Sequence, residues 1–432
     1  MIITKFGGSS LASAKQFMKV KDIVLADDDR RVVVVSACGK RSKEDSKLTD
    51  LLYLLHAHLK YSVPYDHVWN MIVERYFEIK KELNLKIDLD LLFNNFKKEL
   101  HKEISLDYLV SRGEYFTALL MSEYLGFEFL DSKDLISFNY DGSINDEKTD
   151  MLIKKSYHGE RVVIPGFYGA YPNGAIHLLS RGGSDITGSL VAKALNATMY
   201  ENWTDVSGIL MADPRVVDNP RPIKQITYSE LRELSYMGAN VLHEETIFPV
   251  SELNIPINIK NTNAPLDPGT IITNSCDDHT SIITGISGKK NFTSFTVNKT
   301  FLANKSSLIN QVTSLFIKYN LNIEHIPTSI DSFSVIVSSE DVERCIYELV
   351  SEIKKLDGVL GVKVEDQMAL VAVTGRNMLD RPGSASKIFE VVASNCINIR
   401  MIAQGSQELT IIVGVDNSDF EKAIRAIYDS FK

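Results

Sequence analysis

From residue 1 to about residue 290, the chain alternates short β-branched runs with stretches whose apolar residues recur every three or four positions. Ile2 to Phe6 reads as a strand, Ala14 to Leu25 as a helix, Val32 to Ala37 as a second strand, and Leu51 to Leu59 as a second helix. The VVVV run at 32–35 shows no polar alternation, which is the pattern of a strand covered on both faces. Such strands alternating with helices predict an α/β fold, a mostly parallel sheet covered by helices. Between about 64 and 104 the pattern turns charged and helical (ERYFEIKKELNL, LLFNNFKKELHKE), with no strand signal. This stretch is expected to be a helical excursion whose charged faces are solvated.

Beyond about 290 the chain repeats itself. NIEHIPTSIDSFSVIV at 322–337 aligns without a gap with NIRMIAQGSQELTIIV at 398–413, an offset of 76 residues (322 to 398). The same offset carries Val297 onto Val373 and Ser307 onto Gly383. Two copies of a β-α-β-β unit are predicted, each followed by a helical pattern at Val342 to Ile353 and Phe420 to Phe431. Two copies are too few for a solenoid, so they read as two small α+β modules. Turn residues cluster at PLDPG (265–269), where the composition shifts. The expected division is an α/β domain over 1–280 and a region over 281–432 holding two modules, about 293–355 and 368–432.

Composition then excludes several classes of partner. Lys and Arg number 47 against 56 Asp and Glu in 432 residues, a net charge of −9 with no long basic block. That argues against nucleic acid or an anionic membrane as partner. No apolar run approaches the roughly 20 residues that span a bilayer, and the N-terminus reads directly into a strand rather than a signal peptide. A cytoplasmic protein is expected. Cys38, Cys276, Cys345 and Cys396 lie far apart without a C-x-x-C, so buried thiols are expected. His56 and His58, two apart on a helix, share no face and read as incidental.

The candidate chemistry lies in the loops. In KFGGSS, Lys5 precedes Gly7, Gly8, Ser9 and Ser10, the reverse of the G-x-x-x-x-G-K-[ST] order. Glycines let backbone amides approach a phosphate, a following helix points its positive end at it, and a lysine adds a point charge. A plain strand-to-helix turn explains the stretch equally well. SRGGSDITG (180–188) is a second glycine turn, expected to enter a helix at Ser189 to Leu195, and Arg181 ahead of its double glycine favours an anion site. SRGEYFTALLM places Arg112 and Glu114 ahead of a helical run, where Glu114 either complements the helix dipole or receives an ammonium group. WTDVSGILMADPRVV carries Asp205, Gly208, Asp213 and Arg215, which suit a turn or a nucleotide-contacting loop.

Taken in order, KFGGSS, SACGKRSKEDSKLTDLL, SRGE, SRGGSDIT, TDVSGILMADPRVV and MGANVLH followed by PGT resemble the aspartate kinases of the amino acid kinase fold family. The repeats, with NIEHIPTSID and RPGSASKIFEVVASNCINIRMIAQGS, resemble that family's ACT modules. The resemblance covers essentially the whole chain and sets it apart from glutamate, acetylglutamate, carbamate and uridylate kinases. It implies an amino acid kinase fold followed by two ACT modules. The implied reaction moves the ATP γ-phosphoryl group to the β-carboxylate of L-aspartate, giving 4-phospho-L-aspartate at the head of lysine, threonine and methionine synthesis. A carboxylate with a reference pKa of about 3.9 is already ionised, so no general base is needed. Catalysis then reduces to positioning and charge stabilisation.

The resemblance also implies roles. Lys5 would neutralise the moving phosphoryl group, oriented by Asp185, with Gly7, Gly8 and Ser9 offering amides. Arg181 would clamp the substrate α-carboxylate, Glu114 would take its α-ammonium, and Ser36 and Thr49 would help seat it. Asp205, Gly208, Asp213 and Arg215 would serve the nucleotide. Mg2+ would ride on the ATP phosphates, with no protein ligand assigned. Asn240 departs from the family, which often has lysine there. The long charged loop from Gly39 to Thr49 is expected to act as a lid. The ACT modules imply a homodimer or a dimer of dimers and feedback by lysine, threonine or both, with Ile309, Glu324, Ser329 and Asp331 as effector candidates. A fused homoserine dehydrogenase is not expected, there being no G-x-G-x-x-G. Another amino acid kinase of this fold and a catalytically silent amino-acid sensor are the competing readings, and Lys5, Arg181 and Asp185 speak against the sensor.

Overall fold

The structure, a computed structural model, describes every residue except 181, 240, 241, 243, 277–281, 301–303, 379, 380, 406–408 and 432, and the side chains of 244, 245 and 247. The chain forms two compact units. The first comprises Met1–Ile209, Pro222–Ser229 and Asn240–Cys276, and the second Leu210–Arg221, Glu230–Ala239 and Asp277–Lys432.

The first unit is built on strands β1 (Ile2–Phe6), β2 (Arg30–Val35), β3 (Glu128–Phe129), β4 (Val162–Pro165), β5 (Tyr168–Ala170), β6 (Ile176–Leu178), β7 (Met199–Thr204), β8 (Gln225–Thr227), β9 (Ile257–Asn261) and β10 (Thr270–Thr273). Eight of them form one sheet in the order β3-β4-β2-β1-β7-β9-β10-β8, and β5 and β6 make a separate hairpin. Within the sheet only β9 and β10 pair antiparallel. Val32 to Val35 are fully buried, as a strand covered on both faces requires.

Helices α1 (Ala14–Leu25), α2 (Leu48–Lys60), α3 (Asp66–Leu83), α4 (Leu89–Glu99), α5 (Leu106–Leu125), α6 (Asp146–Ser156) and α7 (Gly183–Ala194) belong to this unit. Helix α1 buries Phe17, Val20 and Val24, the spacing of one face. The charged excursion is α3 and α4, and its apolar side is packed into the unit. Trp69, Tyr76, Phe93 and Phe96 are buried, and Phe93 meets Phe116 of α5 at 4.8 Å between ring centres.

Two boundaries differ from those expected. Helix α5 starts at Leu106, capped by the Ser105 hydroxyl accepting from the Tyr108 amide, so Arg112 and Glu114 stand mid-helix rather than ahead of it. Helix α7 starts at Gly183, not Ser189. Its glycines mark close approach instead of a turn: a Cβ on Gly183 would lie 2.5 Å from the Phe167 ring, and one on Gly188 2.7 Å from the Tyr200 ring. The true turn residue is Gly182, at φ 83°.

Helices α8 (Tyr228–Tyr236) and α9 (Glu244–Ser251) follow, and the second unit carries β11 (Gly285–Lys299), α10 (Lys305–Lys318), β12 (Ser332–Ser338), α11 (Ser339–Val342), α12 (Ile346–Lys354), β13 (Val359–Thr374), α13 (Ser384–Ser394), β14 (Met401–Gln404), β15 (Thr410–Asp416) and α14 (Phe420–Phe431). The sheet order is β12-β11-β13-β15-β14. Long β11 and β13 run antiparallel, so residues 292–298 pair with β12 and 368–374 pair with β15. Each sequence repeat thereby owns one end of a shared sheet. The hairpin expected in both repeats is regular in the second, as β14 and β15, but in the first its leading arm touches β12 only through bridges at His325 and Thr328. The helix expected over 342–353 is broken into α11 and α12. No disulfide joins the cysteines; Cys38 and Cys276 are buried, but Cys345 is half-buried and Cys396 exposed, contrary to the expected burial of all four. Cys396 follows the end of α13 in a left-handed conformation, φ 53°, at the surface turn that leaves the helix.

Candidate active site

Strands β4, β2, β1 and β7 are adjacent and parallel, so their carboxyl ends open on one edge of the sheet, where α/β sheets bind ligands. A cavity of about 590 Å³ lies there, lined among others by Lys5, Gly8, Ser9, Ser36, Thr49, Glu114, Asp185 and Asp205. Residues drawn from four strand ends and three helices thus converge on one pocket.

Lys5, at the end of β1, is buried, and its Nζ lies 2.5 Å from Asp185 Oδ1 in the first turn of α7. Asn202 of β7 donates from Nδ2 to the same oxygen at 2.9 Å. The lysine is therefore aimed by a carboxylate that is itself held. Gly182, Gly183 and Ser184 also line the cavity, so α7 presents its amino end, with its positive dipole, to whatever anion enters.

The two glycine loops touch: the Gly39 amide donates to the Gly8 carbonyl at 2.8 Å, and a Cβ on Gly39 would lie 2.6 Å from the Gly8 backbone. Gly7 behaves otherwise than expected. Its amide donates to the Trp203 carbonyl at 3.0 Å and packs the loop onto β7, leaving Gly8 and Ser9 to line the cavity.

Glu114 reaches the cavity from the middle of α5. Gly113 beside it lets the helix approach the β2 end, where an added Cβ would lie 3.0 Å from Ala37 Cβ. Glu114 is 3 % exposed, and among the described residues its Oε2 has no hydrogen-bond partner. Burial pushes its pKa up to about 8, against the opposing pull of a hydrogen bond from the Ala37 backbone and the charges of Arg112 and Lys5. A buried carboxyl with an unused oxygen, facing a cavity, is equipped to receive a cationic group.

The remaining expected residues fall elsewhere. Gly208, at φ 96°, packs on Thr270 rather than lining the cavity. Asp213 and Arg215 belong to the second unit and pair with each other at 2.6 Å. Arg181 and Asn240 lie outside the described residues. In the second unit, Ile309 packs on the first module's core, and the Glu324 carboxylate accepts a hydrogen bond from Tyr236. The carbonyls of Ser329 and Asp331 accept from Lys305 Nζ and the Lys299 amide. Cavity residues not foreseen include Lys40, Lys47 and Phe167. Lys40 follows Gly39 in a loop whose charge was read only as a lid, and Phe167 is separated from the glycines it packs against by more than a dozen residues, so neither carried a local signal.

Comparison with known proteins decides the family. A sequence model of the amino acid kinase family matches residues 1–261, and one of the ACT domain matches 371–431. Aspartokinase 3 of Bacillus subtilis is 34% identical over 454 residues, covering 100% of this chain and 98% of the relative. The chain belongs to the aspartate kinases of the amino acid kinase family. The crystal structure of Clostridium acetobutylicum aspartate kinase superposes with a TM-score of 0.96 at 46% identity, covering 100% of both chains. Escherichia coli aspartokinase III, solved in complex with aspartate and ADP, superposes with a TM-score of 0.78 at 25% identity, covering 100% of this chain and 99% of that one. The fold of this aspartate kinase is that of the amino acid kinases with a C-terminal ACT region, and ATP is its co-substrate. Among the described residues no helix is long and apolar enough to cross a membrane.

Proposed function

We propose that this kinase transfers the γ-phosphoryl group of ATP to the β-carboxylate of L-aspartate, forming 4-phospho-L-aspartate for lysine, threonine and methionine synthesis. The observation that carries the reading is the pairing, in one cavity, of an aimed cation (Lys5 on Asp185) with a buried carboxyl whose Oε2 is unpaired (Glu114). One suits a transferring phosphoryl group and the other the α-ammonium of an amino acid. Glu114 would discriminate against N-acylated acceptors, which bring no ammonium to it.

The acceptor carboxylate arrives ionised, so the chain's residues have no proton to remove; they hold charge and geometry. Lys5 and the amino end of α7 would face the phosphoryl oxygens, with Gly8 and Ser9 beside them. Ser36, Thr49 and Arg181 would seat the aspartate carboxylates, and Asp205, Gly208, Asp213 and Arg215 would serve the nucleotide. Mg2+ would supply charge neutralisation on the triphosphate.

The paired repeats support feedback control by lysine, threonine or both, in a homodimer or dimer of dimers joined through the ACT modules. Escherichia coli aspartokinase III was also solved with lysine and aspartate, and Ile309, Glu324, Ser329 and Asp331 are the effector candidates here. A cytoplasmic setting fits cysteines without a disulfide. An acceptor panel of L-aspartate, L-glutamate and N-acetyl-L-glutamate tests the substrate, with turnover expected on aspartate. Turnover on N-acetylglutamate in its place would overturn the reading.

A further inference from the structure

The loop from Gly39 to Lys47, expected to be a lid, has no helix or strand and exposes Lys40, Arg41, Ser42, Lys43 and Glu44. Left alone, such a segment samples many conformations. Here it is latched from beneath. Arg75, 2 % exposed on α3, donates from Nη1 to the Gly39 carbonyl at 3.1 Å and from Nη2 to Asp45 Oδ1 and the Ser46 carbonyl, both at 2.6 Å. Arg41 closes the loop from its outer side, 3.0 Å from Asp45 and 2.6 Å from Glu78 of α3. Burial works against the Asp45 charge, but hydrogen bonds from Arg41 and the charge of Arg75 outweigh it and hold its pKa down at about 2. Charge-assisted bonds from a planar guanidinium fix direction as well as distance.

The latch has a definite consequence. Lys40 and Lys47, at the two ends of the latched segment, both line the cavity that holds Lys5, Glu114 and Asp185. Both are exposed, and neither side chain makes a hydrogen bond or ion pair with any described residue. Lys5, by contrast, has its charge offset by Asp185 at 2.5 Å. A triphosphate and a dicarboxylate meeting in this cavity bring far more negative charge than one neutralised lysine can balance, and phosphoryl transfer depends on cations placed in advance.

We propose that Lys40 and Lys47 are further phosphate-contacting catalytic residues of the kinase, and that Arg75, acting through Asp45 and the carbonyls of Gly39 and Ser46, is the positioning residue that holds them over the cavity. The helical excursion then has a purpose. It is a brace that sets the loop through Arg75, while adjacent Tyr76 donates from its hydroxyl to the Gly113 carbonyl at 2.8 Å and sets the Glu114 helix.

The proposal rests on the phosphotransferase reading above, and the experiment separates the two. Wild type, Lys40→Met, Lys47→Met, Asp45→Asn, Arg75→Lys, Arg75→Met and the double variant Asp45→Asn/Lys47→Met are assayed for kcat, for KM of ATP and of aspartate, and for Tm. Each lysine variant is expected to lower kcat by about 10²-fold with Tm unchanged. Asp45→Asn, which leaves the buried arginine in place, is expected to lower kcat by about 10-fold or more, as is Arg75→Met, with Arg75→Lys partly restoring it. The double variant is expected to lose less than the product of the two single losses, because part of the latch's effect acts through Lys47, which is already gone, and only the part that acts through Lys40 remains. Lysine variants with wild-type kcat overturn the catalytic assignment. Losses that multiply in the double variant, or that follow Tm alone, overturn the positioning role. A wild-type protein with no aspartate-dependent turnover removes the underlying reading and the proposal with it.

Discussion

Lys5 Nζ stands 2.5 Å from Asp185 Oδ1, and Asn202 Nδ2 holds the same oxygen at 2.9 Å. A strand end, a helix start and a neighbouring strand thus fix one ammonium group at the mouth of the sheet. Removing the charge by Lys5→Met is expected to lower kcat/KM by about 10²–10³-fold, the usual loss for one preorganised stabiliser. Asp185→Asn leaves the lysine charged but unaimed. Its expected signature is a fall in kcat of about 10²-fold with KM for ATP unchanged or lower, since a negative charge has left an anion site. Steady-state kinetics on both variants check this; a Lys5→Met protein with wild-type kcat would refute the assignment.

The Glu114 carboxyl, raised to about 8 by burial, makes aspartate binding pH-dependent. Below that value the group is neutral in the free enzyme, and it must release its proton to receive an ammonium ion. At saturating ATP, kcat/KM for aspartate is expected to rise with pH, up to tenfold per unit, and level off near pH 8. Glu114→Gln is expected to lose this limb. The stability consequence has the opposite sign. With the folded pKa above the ordinary glutamate value of 4.5, the contribution of this group is full below about pH 4.5, declines as pH rises, and is lost above about pH 8. Urea titrations of both proteins across that window read it directly.

Gly39 tests the contact between the two glycine loops. Its backbone lies so near Gly8 that an added Cβ would sit 2.6 Å from backbone atoms that cannot turn aside. Gly39→Ala is expected to separate the loops, raising KM for both substrates by tenfold or more. Calorimetric titration with ADP and with aspartate checks this. Gly361, where a Cβ would meet nothing within 4 Å, is the control and is expected to bind both normally.

In the second unit, Glu230 is fully buried and accepts from the Arg376 backbone at 3.0 Å, from Arg376 Nη1 at 2.8 Å and from the Thr284 hydroxyl. Breaking a buried pair by removing one partner strands the other charge, at a cost of about 3–5 kcal/mol. Arg376→Ala is therefore expected to lower the unfolding midpoint of this unit markedly, and Glu230→Gln to be milder because the Arg376 side chain it leaves is 17% exposed whereas Glu230 is fully buried. Denaturant unfolding followed by circular dichroism separates the two.

Much of this architecture is legible in the sequence because it follows from pattern. The VVVV run could only be a doubly covered strand, and the 76-residue repeat announced two modules sharing a plan. Where the reading failed, the cause was tertiary contact. Gly183 and Gly188 look like turn residues until the Phe167 and Tyr200 rings are seen against them, so the start of α7 was placed too late. Glu114 looks like a first-turn acid because the residues that extend α5 towards its N-terminus are capped by Ser105, well upstream. Arg75 was hidden among the charges of the excursion; only its burial beneath the loop distinguishes it from Lys80 or Lys81. Lysine and arginine runs disclose nothing about which member is paired, which is why the latch was invisible and Lys5, set beside its glycines, was not.

The central claim is that Lys5 serves phosphoryl transfer to a carboxylate of aspartate in this cavity. The most direct measurement is ATP- and Mg2+-dependent formation of an acyl phosphate, trapped as the hydroxamate with hydroxylamine, with L-aspartate as acceptor and Lys5→Ala alongside wild type. The account predicts an aspartate-dependent hydroxamate from the wild type that disappears in the variant. An undiminished signal from Lys5→Ala, or no signal from the wild type with aspartate, would contradict it.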